Sequence, residues 1–259
     1  MKKLLIITAL FVISNINPAA AQTADVPFKH GEKITYTVFY SVIGVYINAG
    51  SATFTTTEEK LNNNNVFHVV GLGNTNSKYD WIFKVRDRYE SYFNTTDLRS
   101  VKFIRNINEG KYKKYEEVTF NPQTNTAITT TGVYKVPNKI QDAVNAMYYA
   151  RNIDYSKYKP GDRISFSMFL DNQVYELYIK YLGKGTIKTR YGKYNAIKLS
   201  PLLIKGSMFK DDDKMTIWVS DDANHIPVRI ESPISVGSVK VDLKDYQNLK
   251  YPMDATASN

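Results

Sequence analysis

The 259-residue chain contains no cysteine. Disulfides, thiol nucleophiles and a cysteine-borne lipid anchor are therefore excluded, and in an oxidising compartment stability must come from packing. Histidine is scarce as well. His30, His68 and His225 lie far apart, and none stands at a metal-ligand spacing. No Gly-x-Ser-x-Gly nucleophile turn occurs, and no glycine-rich phosphate loop opens the one helical segment. The acidic clusters Lys210 to Lys214 and Asp221-Asp222 lack the glycine and terminal glutamate of a calcium loop and read as solvated turns. The expectation is a non-enzyme with no catalytic residues, no metal site and no cofactor.

Long hydrophobic runs are also missing, apart from one at the start. Lys2 and Lys3 precede a mostly apolar stretch, Leu4 to Ile16. Pro18 breaks it, and Ala19-Ala20-Ala21 offers small residues before Gln22. This is the pattern of a cleavable signal peptide over residues 1–21. The stretch is well short of the roughly 20 residues that span a bilayer. A soluble, non-lipidated periplasmic protein with no transmembrane segment is expected.

The formal net charge is +9, and it stays positive once Lys2 and Lys3 are removed. A basic exported surface suits anionic partners such as phospholipid headgroups, lipid A phosphates or acidic glycans, or serves solubility alone. The charge is dispersed, so nucleic acid is not an expected partner. The oligomeric state is open.

Twenty tyrosines and twelve phenylalanines favour strands. Period-two alternation recurs throughout: Ile34, Tyr36, Val38 and Tyr40 share one face, and segment 79–93 reads as a single strand. One helix is expected over about 138–152. Asn138 would be its N-cap and Gln141 its N3 partner, with an apolar stripe of Ile140, Val144, Met147 and Tyr148 ending at Arg151. Gly31 to Tyr40 matches Gly161 to Leu170 in kind and order, which reads as an internal repeat. The predicted fold is mainly β: an antiparallel barrel or half-barrel of two related β units, residues 22–136 and 154–250, linked by helix 137–153 and packed as one domain. Residues 251–259 form a tail.

A few polar and aromatic residues are candidates for ligand contact. Asp87 falls in the apolar register of its strand, so it must be paired, turned outward, or poised to orient a ligand. Asp142 and Arg151 sit near the two helix ends, where the helix dipole already explains them. Tyr148 lies on the helix stripe. Trp81 and Trp218 are core or rim aromatics, or platforms for a sugar ring or acyl chain.

Several short segments carry a resemblance. They are Gly31-Glu32-x-Ile34-x-Tyr36, Ala49-Gly50, Phe83-Lys84-Val85-x-Asp87, Asp142 to Arg151, Ile217-Trp218-Val219-Ser220-x-Asp222, Ile226-Pro227-Val228 and Gly237. Together, over roughly 28–246, they resemble the exported domain-of-unknown-function family 3108 of Gram-negative bacteria. The resemblance implies a periplasmic β protein with no established activity and carries over no catalytic residue. An unclosed barrel wrapped on a helix is also similar to the periplasmic lipoprotein carriers, by analogy of fold alone.

The functional expectation is a binding or carrier protein for a lipid-like or other apolar or anionic envelope ligand, held in a curved sheet. The alternatives are an envelope-assembly protein that binds a protein or glycan, and a hydrolase working through carboxylates such as Asp87. The hydrolase reading requires a second acid facing Asp87.

Overall fold

A computed structural model describes residues 24–42, 45–204, 215–234 and 237–256. The expected signal peptide and the Lys210–Lys214 cluster lie outside the described residues. No helix among them is long and apolar enough to cross a membrane.

Alternating sequence produces strands almost everywhere. The first half is a meander of β1 (Lys33–Val42), β2 (Val45–Leu61), β3 (Asn64–Thr75), β4 (Arg86–Asn94), β5 (Ser100–Glu109), β6 (Tyr112–Asn121), β7 (Thr126–Thr129) and β8 (Gly132–Lys135). A single helix follows, α1 (Asn145–Arg151). The second half contains β9 (Arg163–Leu170), β10 (Gln173–Lys188), β11 (Lys193–Pro201), β12 (Thr216–Ser220), β13 (Pro227–Pro233) and β14 (Ser238–Gln247), with a short β15 (Ala255–Thr256) against β11. The two meanders join where β1 pairs with β14. This gives one antiparallel sheet running from β8 through β1 and β14 to β9.

The sheet does not close: β8 and β9 are its free ends. Residues just before α1 bridge part of the gap. The Gln141 N–H donates to Ser167 O and its carbonyl accepts from Phe169 N–H, both at 2.9 Å, as a parallel bridge on β9. Next to it, the Asp142 N–H donates to Ser100 Oγ at the start of β5. Covering an edge in this way removes a template for unwanted pairing.

Two expectations need correction. The helix covers Asn145–Arg151, not 138–152. Gln141 cannot serve as N3 because its backbone is committed to β9, and Asn138 instead accepts a hydrogen bond from the Arg99 guanidinium. Asp142 takes the capping role: its Oδ1 accepts from the N–H groups of Val144 and Asn145 at 3.0 and 2.9 Å. Segment 79–93 is also not one strand. Residues 77–79 form a short 3-10 turn, and the strand begins only at Arg86.

The turns that open the matched segments share a backbone pattern. Gly31 N–H donates to Thr56 O, and Thr56 N–H donates back to Glu32 O. Gly161 and Asp162 make the same exchange with Tyr181. The side chains differ: Glu32 is fully buried, whereas the Asp162 carboxylate accepts from the backbone of Lys159 at the surface.

Three buried clusters pack the interior of the described residues. The first packs Phe67, Phe93, Phe103 and Phe120 of the first meander against Val144 just before α1, Tyr148 of α1 and Phe28 of the leading segment. The second surrounds Tyr155, Ile179, Ile197 and Leu199. The third surrounds Ile34, Tyr36, Ile226, Val228 and Leu243.

Candidate functional site

The six sequence candidates fall in four places. Asp142, Tyr148 and Arg151 are fully buried and work inside the fold. The Asp142 Oδ2 accepts from the hydroxyls of Ser91 and Ser100, both at 2.7 Å. Burial raises its pKa, opposed by these hydrogen bonds and those from the Asn145 and Val144 N–H groups. Tyr148 sits edge-on to Phe28 and exchanges a hydrogen bond with Thr56. Arg151 makes a two-pronged ion pair with Glu32, at 2.6 and 2.8 Å, and donates to the carbonyls of Pro27 and Asn224. Burial disfavours its charge, but Glu32 outweighs that and holds the guanidinium pKa above its ordinary value. A cleft of about 240 Å³ reaches this knot from outside, and Arg151 lines it together with Pro27, Asp154 and His225. The guanidinium is held within the knot by Glu32 and by the carbonyls of Pro27 and Asn224.

Trp218 is half-buried, with the Lys198 ammonium 5.2 Å from its ring centre. It stands on β12 opposite Lys198 of β11 and Arg229 of β13, and packs against the third cluster.

Asp87 belongs to a polar patch on the face that carries α1, above the aromatic cluster. It is 8% exposed, and its Oδ1 accepts from the Asn108 N–H at 2.8 Å. Glu109 faces it. Burial, then the charge of Asp87 and a hydrogen bond between the two carboxyls, raise the Glu109 pKa. Burial and both charges push Tyr89 up to about 12. Farther along the same face, Arg105 pairs with Glu116 and with Asp171 of the β9–β10 turn, and Lys114 joins Asp171.

Trp81 stands apart from all of these. The β3–β4 connection is held at its base: Arg86 binds both oxygens of Asp80, at 3.2 and 2.6 Å, and Thr75 Oγ1 donates to Asp80 while accepting from the Val85 N–H. The N–H groups of Ile82 and Phe83 both donate to Tyr79 O, which gives the tip a defined turn. On that tip Trp81, Ile82 and Phe83 are 83%, 63% and 52% exposed. The β5–β6 turn lies alongside. Gly110 N–H donates to Lys84 O, a side chain on Gly110 would lie 3.1 Å from the Phe83 ring, and Tyr112 is exposed beyond it. Lys78, Lys84, Lys111 and Lys113 are exposed around this apolar tip. Sequence reasoning named Trp81 as a site candidate but not Ile82 or Phe83, because it placed them in a strand over 79–93, and it did not connect the lysines of two separate turns.

No group of His, Asp or Glu among the described residues could hold a metal ion.

The fold is similar to a β-barrel-like protein of domain-of-unknown-function family 1849 from Brucella abortus. The TM-score is 0.53 at 8% identity, over 85% of this chain and 98% of that one. Weaker likenesses are a protein provisionally described as a lipoprotein from Parabacteroides distasonis (TM-score 0.39, 12% identity, 87% and 99% covered) and one provisionally described as exported, with a YmcC-like fold, from Bacteroides fragilis (0.34, 12%, 86% and 98%). No curated protein matches the chain. The model of the protein family of unknown function DUF3108 matches residues 35–244, and the chain belongs to that family.

Proposed function

We propose that this is an exported, non-enzymatic binding protein of the cell envelope, and that it meets an apolar or anionic ligand at its rim rather than inside its sheet. The observation that carries the reading is the contrast between interior and tip. The interior is occupied by three side-chain clusters. Trp81, Ile82 and Phe83 are left uncovered on a turn whose base is pinned by Asp80 and Arg86. Large apolar groups that stay exposed on an ordered support characterise interaction surfaces. Fixing them in advance lowers the ordering cost of binding. Export and a periplasmic location rest on Lys2, Lys3 and Ala19-Ala20-Ala21. The sequence expectation of a lipid cupped in the sheet becomes a lipid-like or other envelope ligand met at the rim.

The test is Trp emission during titration with three separate envelope fractions: phospholipid, glycan fragments and protein. The reading expects a saturable response to at least one fraction, abolished by Trp81→Ser. No response to any fraction, or a response untouched by Trp81→Ser, overturns it.

The duplication read from Gly31–Tyr40 and Gly161–Leu170 is a second proposal. It is supported by the shared hydrogen-bond exchange at the two turns.

A further inference from the structure

We infer that the β3–β4 tip is a docking surface for a membrane, and specifically for a bilayer that carries anionic phospholipid. The inference rests on the rim-binding reading above and names its partner.

Three features of the tip argue for a bilayer. Trp81, Ile82 and Phe83 are consecutive and all exposed. They share one tight turn, where the N–H groups of Ile82 and Phe83 both donate to Tyr79 O, and their side chains stand out from it into solvent. An indole beside aliphatic and aromatic neighbours suits the boundary between headgroups and acyl chains, where one part of the ring is buried and its N–H stays wet. Tyr112 on the neighbouring turn adds a second amphipathic ring at the same edge.

The charge around the tip selects the lipid. Lys78 and Lys84 flank the apolar residues on their own connection, and Lys111 and Lys113 flank Tyr112 on the next. Long lysine stems can lie along the apolar surface while their ammonium groups reach phosphates. The acids of the same two turns do little to cancel them. Asp80 is bound by Arg86, and Glu109 is turned toward Asp87. Polybasic clusters next to apolar anchors are attracted to anionic bilayers, and the attraction weakens with salt.

The supporting clamp makes the tip stiff. Arg86 joins Asp80, Thr75 O, Thr75 Oγ1 and Val85 O through one guanidinium. The hydrophobic point can then enter the interface without reorganising the sheet behind it.

The experiment uses the mature chain with vesicles of phosphatidylethanolamine and phosphatidylglycerol, and in parallel with phosphatidylcholine alone. Acyl chains brominated near the headgroup serve as quenchers. The expected result is co-sedimentation at least tenfold stronger with the anionic vesicles, lost as salt rises, together with quenching of Trp emission that Trp81→Phe removes. Trp81→Ser combined with Phe83→Ser should cut the partition at least tenfold, and so should reversing Lys84 and Lys111 to Glu. Circular dichroism confirms that each variant is folded, and Ile128→Ser on β7 serves as a surface control that leaves binding intact.

Binding equal on both vesicle types, or unchanged in the tip variants, overturns the inference. Tip-dependent self-association in the ultracentrifuge without vesicle binding also overturns it and makes the surface a contact between copies. If vesicles fail but a glycan or protein fraction still shifts Trp81 emission, the membrane inference falls while the rim-binding reading stands. If every fraction fails, both fall.

Discussion

Arg151 at the end of α1 grips Glu32 at the entrance to β1 with two hydrogen bonds of 2.6 and 2.8 Å, across 119 positions of sequence and with both side chains out of solvent. The same guanidinium reaches Pro27 and Asn224, so one side chain ties the leading segment, the first strand, the helix and the β12–β13 turn. Asn224 extends the knot to the backbone of Tyr251 and Pro252. Removing one partner strands the other charge in a dry site. Arg151→Ala and Glu32→Ala should each cost about 3–5 kcal/mol, read by urea denaturation. The double variant should cost much less than the sum.

Asp142 is the second such joint. Asp142→Ala leaves the hydroxyls of Ser91 and Ser100 and the N–H groups of Val144 and Asn145 without their acceptor. The expected loss is about 2–4 kcal/mol. Hydrogen exchange should show local opening at α1 and at the Gln141 bridge before global unfolding.

Glu109 should give a pH signature. Burial and Asp87 hold its folded pKa above its ordinary 4.5. A carboxyl raised on folding contributes stability in full below its unfolded value and loses it as pH rises through the folded value. Glu109→Gln removes that loss. Its advantage over the wild type should be absent in acid, grow as pH climbs past about 4.5 and level off by neutrality. Because the side chain is only half-buried, screening by solvent keeps the difference below about 1 kcal/mol. Melting temperature against pH measures it.

Gly237 begins the turn into β14 at φ +84°, and a Cβ there would lie 2.0 Å from the Ser41 carbonyl oxygen. Gly50 is similarly confined, 2.3 Å from Asn74 O. Gly237→Ala should therefore cost about 2–3 kcal/mol through strain and displaced backbone, while Gly161→Ala, with open space around it, should cost less. Chemical denaturation compares the two.

These joints explain what could be read in advance. Gly31-Glu32, Ala49-Gly50, Asp142 to Arg151, Ser220-x-Asp222 and Gly237 resembled a family signature, and each sits where strands or the helix meet. Ser220 Oγ, for example, donates to Asp222 and accepts from the Ile226 N–H. Alternation revealed the strands because side-chain period and burial coincide. It misled at 79–85, where Trp81, Phe83 and Val85 alternate but Asp80 and Arg86 pin a turn through contacts that have no period. The Asn138–Gln141 pattern misled for a related reason: capping chemistry is local, while the demand of β9 for the Gln141 backbone comes from a distant strand. The pairing of Glu32 with Arg151 is not encoded in spacing, so Arg151 reads as a helix-dipole residue and a candidate ligand contact, and its partner stays hidden.

The rim tip carries the functional claim, and Trp81 is its reporter. The most direct measurement is the emission of the wild-type protein and of Trp81→Ser as separated envelope fractions are added, one at a time, to saturation. The account predicts a saturable change with at least one fraction that is present in the wild type and gone in Trp81→Ser. A wild-type protein whose emission ignores every fraction, or a variant that responds as the wild type does, contradicts it.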